Sequence, residues 1–313
     1  ELRVGNTAEL RVDVGPVIDA EAQTGIVQHI EKFKAQGHRV YQHPSHLAAR
    51  STPGTFVPPT LIELNHIGEL QREVFGPVLH LVRYARNDLD QLLDQINATG
   101  YGLTQGVHTR IDETIARVVN RAYAGNVYVN RNMVGAVVGV QPFGGEGLSG
   151  TGPKAGGPLY LLRLLSQRPA NALARTLAEA DRTSPPDVER RERQLAPLGT
   201  LQQWAHNQGN LALAGHCQRF AQETQSGTAR PLPGPTGERN VYTLAPRARV
   251  LCLAQSTEDL LVQTAAVLAS GGTALWPTAQ AHLRTQLPTL VQAQVLLQDN
   301  TLNDGTLQLD AVL

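Results

Sequence analysis

Residues 135–157 read GAVVGVQPFGGEGLSGTGPKAGG, and nine of these 23 residues are glycine. Average glycine usage is roughly 7%, so the stretch is predicted to be a long loop in which residues adopt a positive φ or let other groups approach the backbone. The segment before it, GNVYVNRN at residues 125–132, indicates a short buried strand. Because ligands of open α/β sheets lie where strands end, we expect this loop to contribute to a binding site.

Within the loop, residues 145–150 fit the GxGxxG pattern of dinucleotide-binding proteins. That pattern requires a strand directly before it and a helix that opens from it. Here Gln141-Pro142-Phe143 comes before the pattern, and the TGPKAGGP that follows is incompatible with a helix. A Walker A loop is also disfavoured, because Lys154 lies between a proline and an alanine. We therefore do not interpret these glycines as a phosphate-binding loop.

Composition sets broad bounds on the protein. Its 313 residues suggest about two domains, and its 27 basic and 27 acidic residues give no net charge, which argues against a nucleic-acid partner. The two cysteines, Cys217 and Cys252, lie far apart without a signal peptide and indicate a reducing compartment. No apolar run approaches the ~20 residues of a transmembrane helix. Since the chain begins inside ELRVGNTAEL without methionine, we expect it to be a piece of a longer protein.

The first half alternates between strand and helix patterns, which favours an α/β sheet covered on both faces. Asp19 is predicted to cap the first helix, and Thr109-x-x-Asp112 resembles a capping box for a later one. The predicted helices cover residues 20–36 and 89–100, and a third, which follows Thr109 and carries Ile111 to Ala122, is closed by Gly125. The predicted extended segments cover residues 56–64, 77–84, 102–108 and 125–132.

The character of the sequence changes after Pro158. Residues 159–165 are apolar enough for a strand or a helical turn, and a connection ending in Ser184-Pro185-Pro186 follows. Helices are predicted at residues 187–198 and 200–225, and an α/β pattern returns from Arg247 onward. We predict a domain at residues 1–165, a helical connection at 166–236 and a smaller Rossmann-like α/β domain at 237–313, cut before its end.

Several motifs carry a resemblance to a known family. EVFGP at residues 73–77 resembles the ExFGP motif of aldehyde dehydrogenases, and GTFVPPT at residues 54–60 resembles the segment before it in that family. Three further stretches are similar to the L-glutamate γ-semialdehyde dehydrogenase module of the bifunctional proline utilization A family: GPVID at 15–19, NRNMVG at 130–135 and the glycine stretch. The first domain is thereby identified as the C-terminal half of an aldehyde dehydrogenase catalytic domain.

The resemblance implies roles for individual residues. Glu73 would accept hydrogen bonds from the nicotinamide ribose of NAD, and Phe75 would pack beside the ribose and nicotinamide. Gly135 and Ala136 would anchor the substrate carboxylate through their backbone N–H groups, because small side chains let the anion reach the amides. Phe143 would pack against the aliphatic chain of the aldehyde. The full-length protein would also bind FAD in an upstream proline dehydrogenase domain.

The family's chemistry requires a cysteine nucleophile, which in the family comes before the region that matches residues 15–19. Neither cysteine of this sequence is expected to replace it. Cys252 lies in an apolar strand pattern, and Cys217 lies on a predicted helix, where the neighbouring His216 points about 100° away. We therefore assign no catalytic or metal-binding residue to this sequence and expect it to be inactive alone.

Three readings remain open. The chain is a fragment of a proline-catabolic dehydrogenase, part of another aldehyde dehydrogenase with an acidic substrate, or a non-catalytic assembly module. Expected partners are a small-molecule substrate, upstream domains of the same chain and further copies in a homo-oligomer. The expected location is the cytoplasm, with the full-length protein a candidate for peripheral association with the inner face of the membrane.

The last segment follows the order of motifs that opens the NAD-binding domain of the family. GERN at residues 237–240 and the strands and helix from Arg249 to Trp276 keep that order, but Trp276-Pro277 stands where the family has Lys-Pro. Two acidic residues, Glu258 and Asp259, begin the helix and would repel a pyrophosphate. We predict that this domain is degenerate, binds no nucleotide and acts by packing.

Overall fold

The computed structural model of the protein describes residues 2–44, 54–169, 171–178, 188–298 and 309–313. The chain divides into two compact units. The first comprises Glu1–Gly135 and Phe143–Gly152, and the second comprises Ala136–Pro142 and Pro153–Leu313. The α/β fold class is confirmed, since both units combine helices with strands. The predicted boundaries after residues 165 and 236 stay a prediction.

The first unit begins with helix α1, Ala20–Ala35, which confirms the first predicted helix. Its start is fixed by Asp19, whose carboxylate accepts a hydrogen bond of 2.8 Å from the Ala22 N–H. The apolar face of α1 buries Ile26, Ile30 and Phe33 against a small sheet. That sheet has the order β1-β2-β3, formed by Val40–Gln42, Thr60–Leu64 and Val78–Val82, with β1 antiparallel and β3 parallel to β2.

The remaining elements of this unit form shorter pairs. They are α2 (Leu89–Ala98), β4 (Tyr101–Gly102), β5 (Thr104–Val107), α3 (Asp112–Arg121), β6 (Asn126–Val129) and β7 (Glu146–Gly147). Strands β5 and β6 are parallel, while β4 and β7 are antiparallel. The described strands thus form three small sheets instead of the single covered sheet that we predicted. The glycine stretch folds back along β4, and the Leu148 N–H donates to the Gly100 carbonyl directly before that strand.

The predicted capping box at Thr109 is wrong. Helix α3 begins at Asp112 with Ile111 as its N-cap residue, and no side chain caps it. The Thr109 hydroxyl instead accepts from the Ile111 N–H at 3.2 Å, which forms a turn before the helix begins. Asn130, which follows β6, binds both backbone groups of Thr109 and holds it outside the helix. A tertiary contact has therefore displaced the local capping pattern.

The second unit contains a parallel sheet of order β12-β11-β10-β13. Its described helices are α4 (Ala172–Ala178), α5 (Val188–Asn207), α6 (Leu211–Glu223), α7 (Thr257–Ser270), α8 (Ala281–Arg284) and α9 (Thr289–Gln292). Its described strands are β8 (Ala229–Leu232), β9 (Asn240–Thr243), β10 (Arg249–Leu251), β11 (Thr273–Pro277), β12 (Val295–Gln298) and β13 (Ala311–Val312). The parallel β10-α7-β11 succession is the Rossmann-like arrangement that the sequence predicts for this segment.

The long helices break at a different place from the one predicted. Helix α5 continues through Gly199, and the break comes at Gly209, whose φ is 75°. Asn210 then caps α6 by accepting from the Leu213 N–H at 3.0 Å. A glycine ends a helix where the chain turns left-handed, and Gly199 stays in the helical conformation. Residue 187 and the Ser-Pro-Pro linker lie outside the described residues.

One apolar core joins the sheet of the second unit to its helices. It brings together residues of α5, α6, α7, β10 and β11, including Leu201, Cys217, Val250 and Trp276. Trp276 is the largest fully buried side chain of the core, and its indole N–H donates to the Thr264 hydroxyl at 2.9 Å. Helices α5 and α6, predicted as part of a connection, thus share their core with the Rossmann-like segment.

Residues 161–164 form a single 3-10 turn, Leu161–Leu164, which agrees with the helical alternative for this segment. Leu161 and Leu164 are 72% and 70% exposed. In the described part of the chain, no helix combines the length and apolar character needed to cross a bilayer.

Two histidines meet beside the core of the first unit. The Nε2 atoms of His29 on α1 and His80 on β3 are 2.8 Å apart, so one ring donates an N–H to the unprotonated nitrogen of the other. Burial, the His80 ring and the cations Lys32 and Arg72 lower the pKa of His29 to about 4. Burial also lowers the pKa of His80. Both rings are therefore held neutral in the folded chain at neutral pH.

This pair makes the first unit sensitive to acid. Between pH 6.5 and about 4 the unfolded chain binds protons that the folded pair does not, so the free energy of unfolding should fall as the pH falls through this window. Urea denaturation at pH 7.5 and pH 5 measures the change. His29→Gln should reduce the pH dependence, whereas the exposed His206→Gln should retain it. Equal pH dependence in all three proteins would contradict the prediction.

Candidate active site

The predicted cofactor residues lie directly before strand β3. Glu73 is exposed, and Phe75 is 85% exposed, which is unusual for a phenylalanine. The backbone between them and β3 is fixed, because the Pro77 carbonyl accepts from the Thr60 N–H at the start of β2. Gly76 packs directly on Ile26 of α1, so closely that a Cβ atom there would collide with it. Residues 73–77 thus pack on α1 through Gly76 and expose the Glu73 carboxylate and the Phe75 ring.

The loop that follows β6 starts from a fixed residue, Asn130. Its φ of 55° turns the chain sharply at the end of the strand. Its side-chain amide accepts from the Thr109 N–H at 2.9 Å and donates to the Thr109 carbonyl at 3.0 Å. Its own N–H donates to the Val107 carbonyl of β5. The motif that contains Asn130 does not indicate this role, although asparagine is enriched in left-handed turns.

The two predicted carboxylate-binding residues lie five and six positions later. Gly135 and Ala136 are both partly buried, and a Cβ atom at Gly135 would meet nothing within 4 Å. Among the described residues, neither the Gly135 nor the Ala136 N–H has a hydrogen-bond acceptor. The next amide, that of Val137, donates to the Gln141 side chain at 2.8 Å. Two adjacent N–H donors without acceptors, the first of them on a residue that has no side chain, are a suitable arrangement for binding an anion.

Phe143 lies at the start of the densest part of the glycine stretch and is partly buried. The residue after it is fixed, because the Gly144 N–H donates to the Asn126 amide oxygen at 3.3 Å. Gly125 approaches the Gly144 carbonyl so closely that a side chain there would overlap it. The GxGxxG match at residues 145–150 forms strand β7 and a turn closed from the Ser149 N–H to the Glu146 carbonyl. The glycines here serve close backbone packing.

Both cysteines are fully buried and belong to the core of the second unit. Burial raises the pKa of the Cys217 thiol to about 11 and that of Cys252 to about 12. The neighbouring His216 does not activate Cys217, since its Nδ1 lies 2.8 Å from the Arg219 guanidinium. A thiol with such a pKa carries very little of the thiolate that attacks an aldehyde. The geometry therefore assigns neither cysteine a catalytic role.

We expect both thiols to resist modification in the folded chain. At pH 7.5 the thiolate fraction of a thiol with a pKa of about 11 is on the order of 100-fold below that of a thiol with a pKa of 9. A disulfide-exchange reagent should therefore titrate close to zero thiols in the native chain and two in concentrated guanidinium chloride. The native chain should also produce no NADH from an aldehyde. Rapid labelling of either cysteine, or NADH production, would contradict this.

Comparison with known proteins places the chain in a family. Residues 1–168 match the aldehyde dehydrogenase family. The chain belongs to this family. The match includes all five predicted site residues, from Glu73 to Phe143. It ends close to the position after Pro158 where the sequence changes character.

Curated relatives extend the likeness beyond this family match. The "Bifunctional protein PutA" of Klebsiella aerogenes is 58% identical over 300 residues, which cover 94% of this chain and 23% of the relative. The 1-pyrroline-5-carboxylate dehydrogenase of Geobacillus kaustophilus is 38% identical over 165 residues, 52% of this chain and 31% of the relative. The likeness to the bifunctional protein therefore continues through the second half of the chain. The chain spans about a quarter of the length of the bifunctional relatives.

Solved structures are similar to part of the chain. A crystal structure of a bifunctional proline utilization A (PutA) protein matches with 51% sequence identity and a TM-score of 0.47, over 52% of this chain and 16% of that chain. The curated bifunctional relatives confirm the similarity to the proline utilization A family that the sequence motifs indicate.

Proposed function

We propose that this chain is part of a bifunctional proline-catabolic enzyme that oxidises L-glutamate γ-semialdehyde to L-glutamate with NAD. In the overall reaction the aldehyde, NAD⁺ and water give the carboxylate, NADH and protons. The observation that carries the proposal is the pair of adjacent N–H groups of Gly135 and Ala136, which have no acceptor among the described residues of a chain that is 58% identical to a bifunctional relative. These donors suit a substrate that carries a carboxylate besides its aldehyde.

NAD would accept the hydride of the aldehyde in this reaction. The exposed Glu73 carboxylate can accept two ribose hydroxyls, and the exposed Phe75 ring offers an apolar surface to the ribose and nicotinamide. The close contact of Gly76 with α1 would keep both side chains in place. The partly buried Phe143 would line the aliphatic chain of the substrate. These residues bind and orient, while the nucleophile belongs to a part of the protein outside this sequence.

The full-length protein tests the proposal. It should reduce NAD with L-glutamate γ-semialdehyde and should prefer this substrate over propanal, which lacks the carboxylate, by at least about 100-fold in kcat/KM. Equal kcat/KM values for the two aldehydes would favour a dehydrogenase without a carboxylate site. Preference for a different acidic aldehyde would favour the second reading of the sequence.

Partners and location belong to the same proposal. The upstream domains of the longer protein would supply the nucleophile, the rest of the NAD site and an FAD-dependent proline dehydrogenase. The exposed Leu161 and Leu164 support a homo-oligomer. The proposed location is the cytoplasm. Sedimentation of the full-length protein as a monomer at micromolar concentration would contradict the oligomer.

The Rossmann-like segment is proposed to bind no nucleotide. The first turn of α7, where a phosphate would bind, is closed by its own residues. The Ser256 hydroxyl donates to the Asp259 carboxylate at 2.7 Å, and Asp259 N–H donates back to it. Trp276 is fully buried in the core. Calorimetric titration of NAD into the chain carrying Glu73→Ala and Phe75→Ala should show no heat of binding. A micromolar Kd in this variant would show a second cofactor site.

A further inference from the structure

The loop that carries the proposed carboxylate-binding amides is held by the second unit. Its residues Ala136–Pro142 belong to that unit, although Gly135 before them and Phe143 after them belong to the first. Gln141 makes one of the contacts between these residues and the rest of the second unit. Its Nε2 donates to the Glu238 carboxylate at 3.0 Å, across 97 positions of sequence.

Gln141 uses both ends of its side chain. Its Oε1 accepts from the Val137 N–H at 2.8 Å, and the Val137 carbonyl accepts in turn from the Gln141 N–H at 3.1 Å. The orientation of the amide is determined by its partners, since a backbone N–H can only donate and a carboxylate can only accept. Gln141 therefore closes the turn from Val137 to Gln141 and joins this turn to Glu238.

Val137 lies next to one of the two proposed carboxylate-binding residues. Val137 directly follows Ala136, whose N–H has no acceptor among the described residues. Fixing the peptide group of one residue restricts the orientation of the group before it, because only two backbone torsions separate them. The Glu238 side chain lies in the connection between β8 and β9 of the second unit. A hydrogen bond to a carboxylate is stronger than one between neutral groups.

We infer that Gln141 and Glu238 are positioning residues for the substrate carboxylate. The connection between β8 and β9 orients the Ala136 amide through the Glu238–Gln141–Val137 chain of hydrogen bonds. The inference rests on the proposed function, since it assigns a role to the same carboxylate-binding amides. It gives the second half of the chain a part in substrate affinity without any direct contact with substrate.

The test exchanges the two side chains in the full-length protein. Gln141→Glu keeps the length of the side chain but places a carboxylate oxygen against Glu238, so KM for the semialdehyde should rise about three- to tenfold. The kcat and the KM for NAD should change less than about twofold, as expected for loss of substrate binding alone. Glu238→Gln retains an acceptor oxygen but loses the charge, so its KM should rise less than that of Gln141→Glu.

The double variant Gln141→Glu with Glu238→Gln restores the arrangement with the partners exchanged. The new carboxylate at position 141 accepts from Val137 and from the new amide at position 238, so the KM should return to within about twofold of the parent value. Failure of the double variant to recover, or an unchanged KM in Gln141→Glu, would overturn the inference.

Hydrogen exchange of the 313-residue chain provides a readout that needs no catalysis. Glu238→Ala removes the partner of Gln141 and should accelerate exchange of the Val137 amide about fivefold, as for the loss of one hydrogen bond. An unchanged exchange rate would overturn the inference.

Ala136→Asp distinguishes the proposed carboxylate site from the proposed positioning role. If it leaves the KM unchanged, the proposed carboxylate site is wrong. If it raises the KM while Gln141→Glu does not, only the positioning role is wrong.

Discussion

In the full-length protein, Ala136→Asp should raise KM for L-glutamate γ-semialdehyde by about 10- to 100-fold. The new carboxylate would lie beside the two N–H groups of Gly135 and Ala136 that are proposed to bind the substrate carboxylate. Two like charges about 6 Å apart repel by roughly 2–3 kcal/mol at the dielectric constant of about 20 typical of protein surfaces. The KM for NAD should stay unchanged, because Glu73 and Phe75 are not altered.

Ala136→Asn is the matched control, since it adds a side chain of the same size without the charge. Its KM should rise far less than that of Ala136→Asp, and the difference between the two variants should shrink at high salt as the repulsion is screened. Equal KM values for both variants would show that steric hindrance, and not charge, acts at this position. An unchanged KM in both would place the substrate carboxylate elsewhere.

Trp276→Ala should lower the free energy of unfolding of the second unit by about 3–5 kcal/mol. Trp276 is fully buried between the sheet and its helices, so truncation removes apolar contacts and leaves a cavity. It also leaves the buried Thr264 hydroxyl without its indole donor, although this hydroxyl still donates to the Leu260 carbonyl. The loss should therefore lie toward the upper end of this range.

Hydrogen exchange of the amides of β10 and β11 measures this effect, because a chain of two units need not unfold in one step. The matched control is Trp204→Ala on α5, since Trp204 only packs on the margin of the same core. Its protection loss should be clearly smaller. Equal losses of protection in the two variants would mean that the full burial of Trp276 adds no stability.

The sequence was sufficient wherever a helix end depended on its own neighbours. Asp19 caps α1, as the sequence predicts. The prediction failed at Thr109, because the competing partner Asn130 lies 21 positions away. A local pattern contains no information on such a partner. The predicted break between residues 198 and 200 is also wrong, since Gly199 stays within α5.

The candidate site divides in the same way. Motifs located Glu73, Phe75, Gly135, Ala136 and Phe143, and their roles stay a proposal. The contribution of Gln141 could not be predicted, because it depends on a hydrogen bond to Glu238 across 97 positions. The connection between β8 and β9 has no motif of its own that indicates contact with the loop. Composition and periodicity indicate helices and strands, whereas the hydrogen bond between Gln141 and Glu238 depends on tertiary packing.

Strand β10 has neighbours that leave the ribosome at very different times. Its partner β11 begins at Thr273, but its other partner, β13, begins only at Ala311, about 60 residues after β10. At synthesis rates of about 5–20 residues per second, one edge of β10 stays unpaired for roughly 3–12 s on the nascent chain. An open strand edge can pair with another chain. Expression in cells with slowed translation or depleted chaperones should therefore be a sensitive condition for aggregation of this segment.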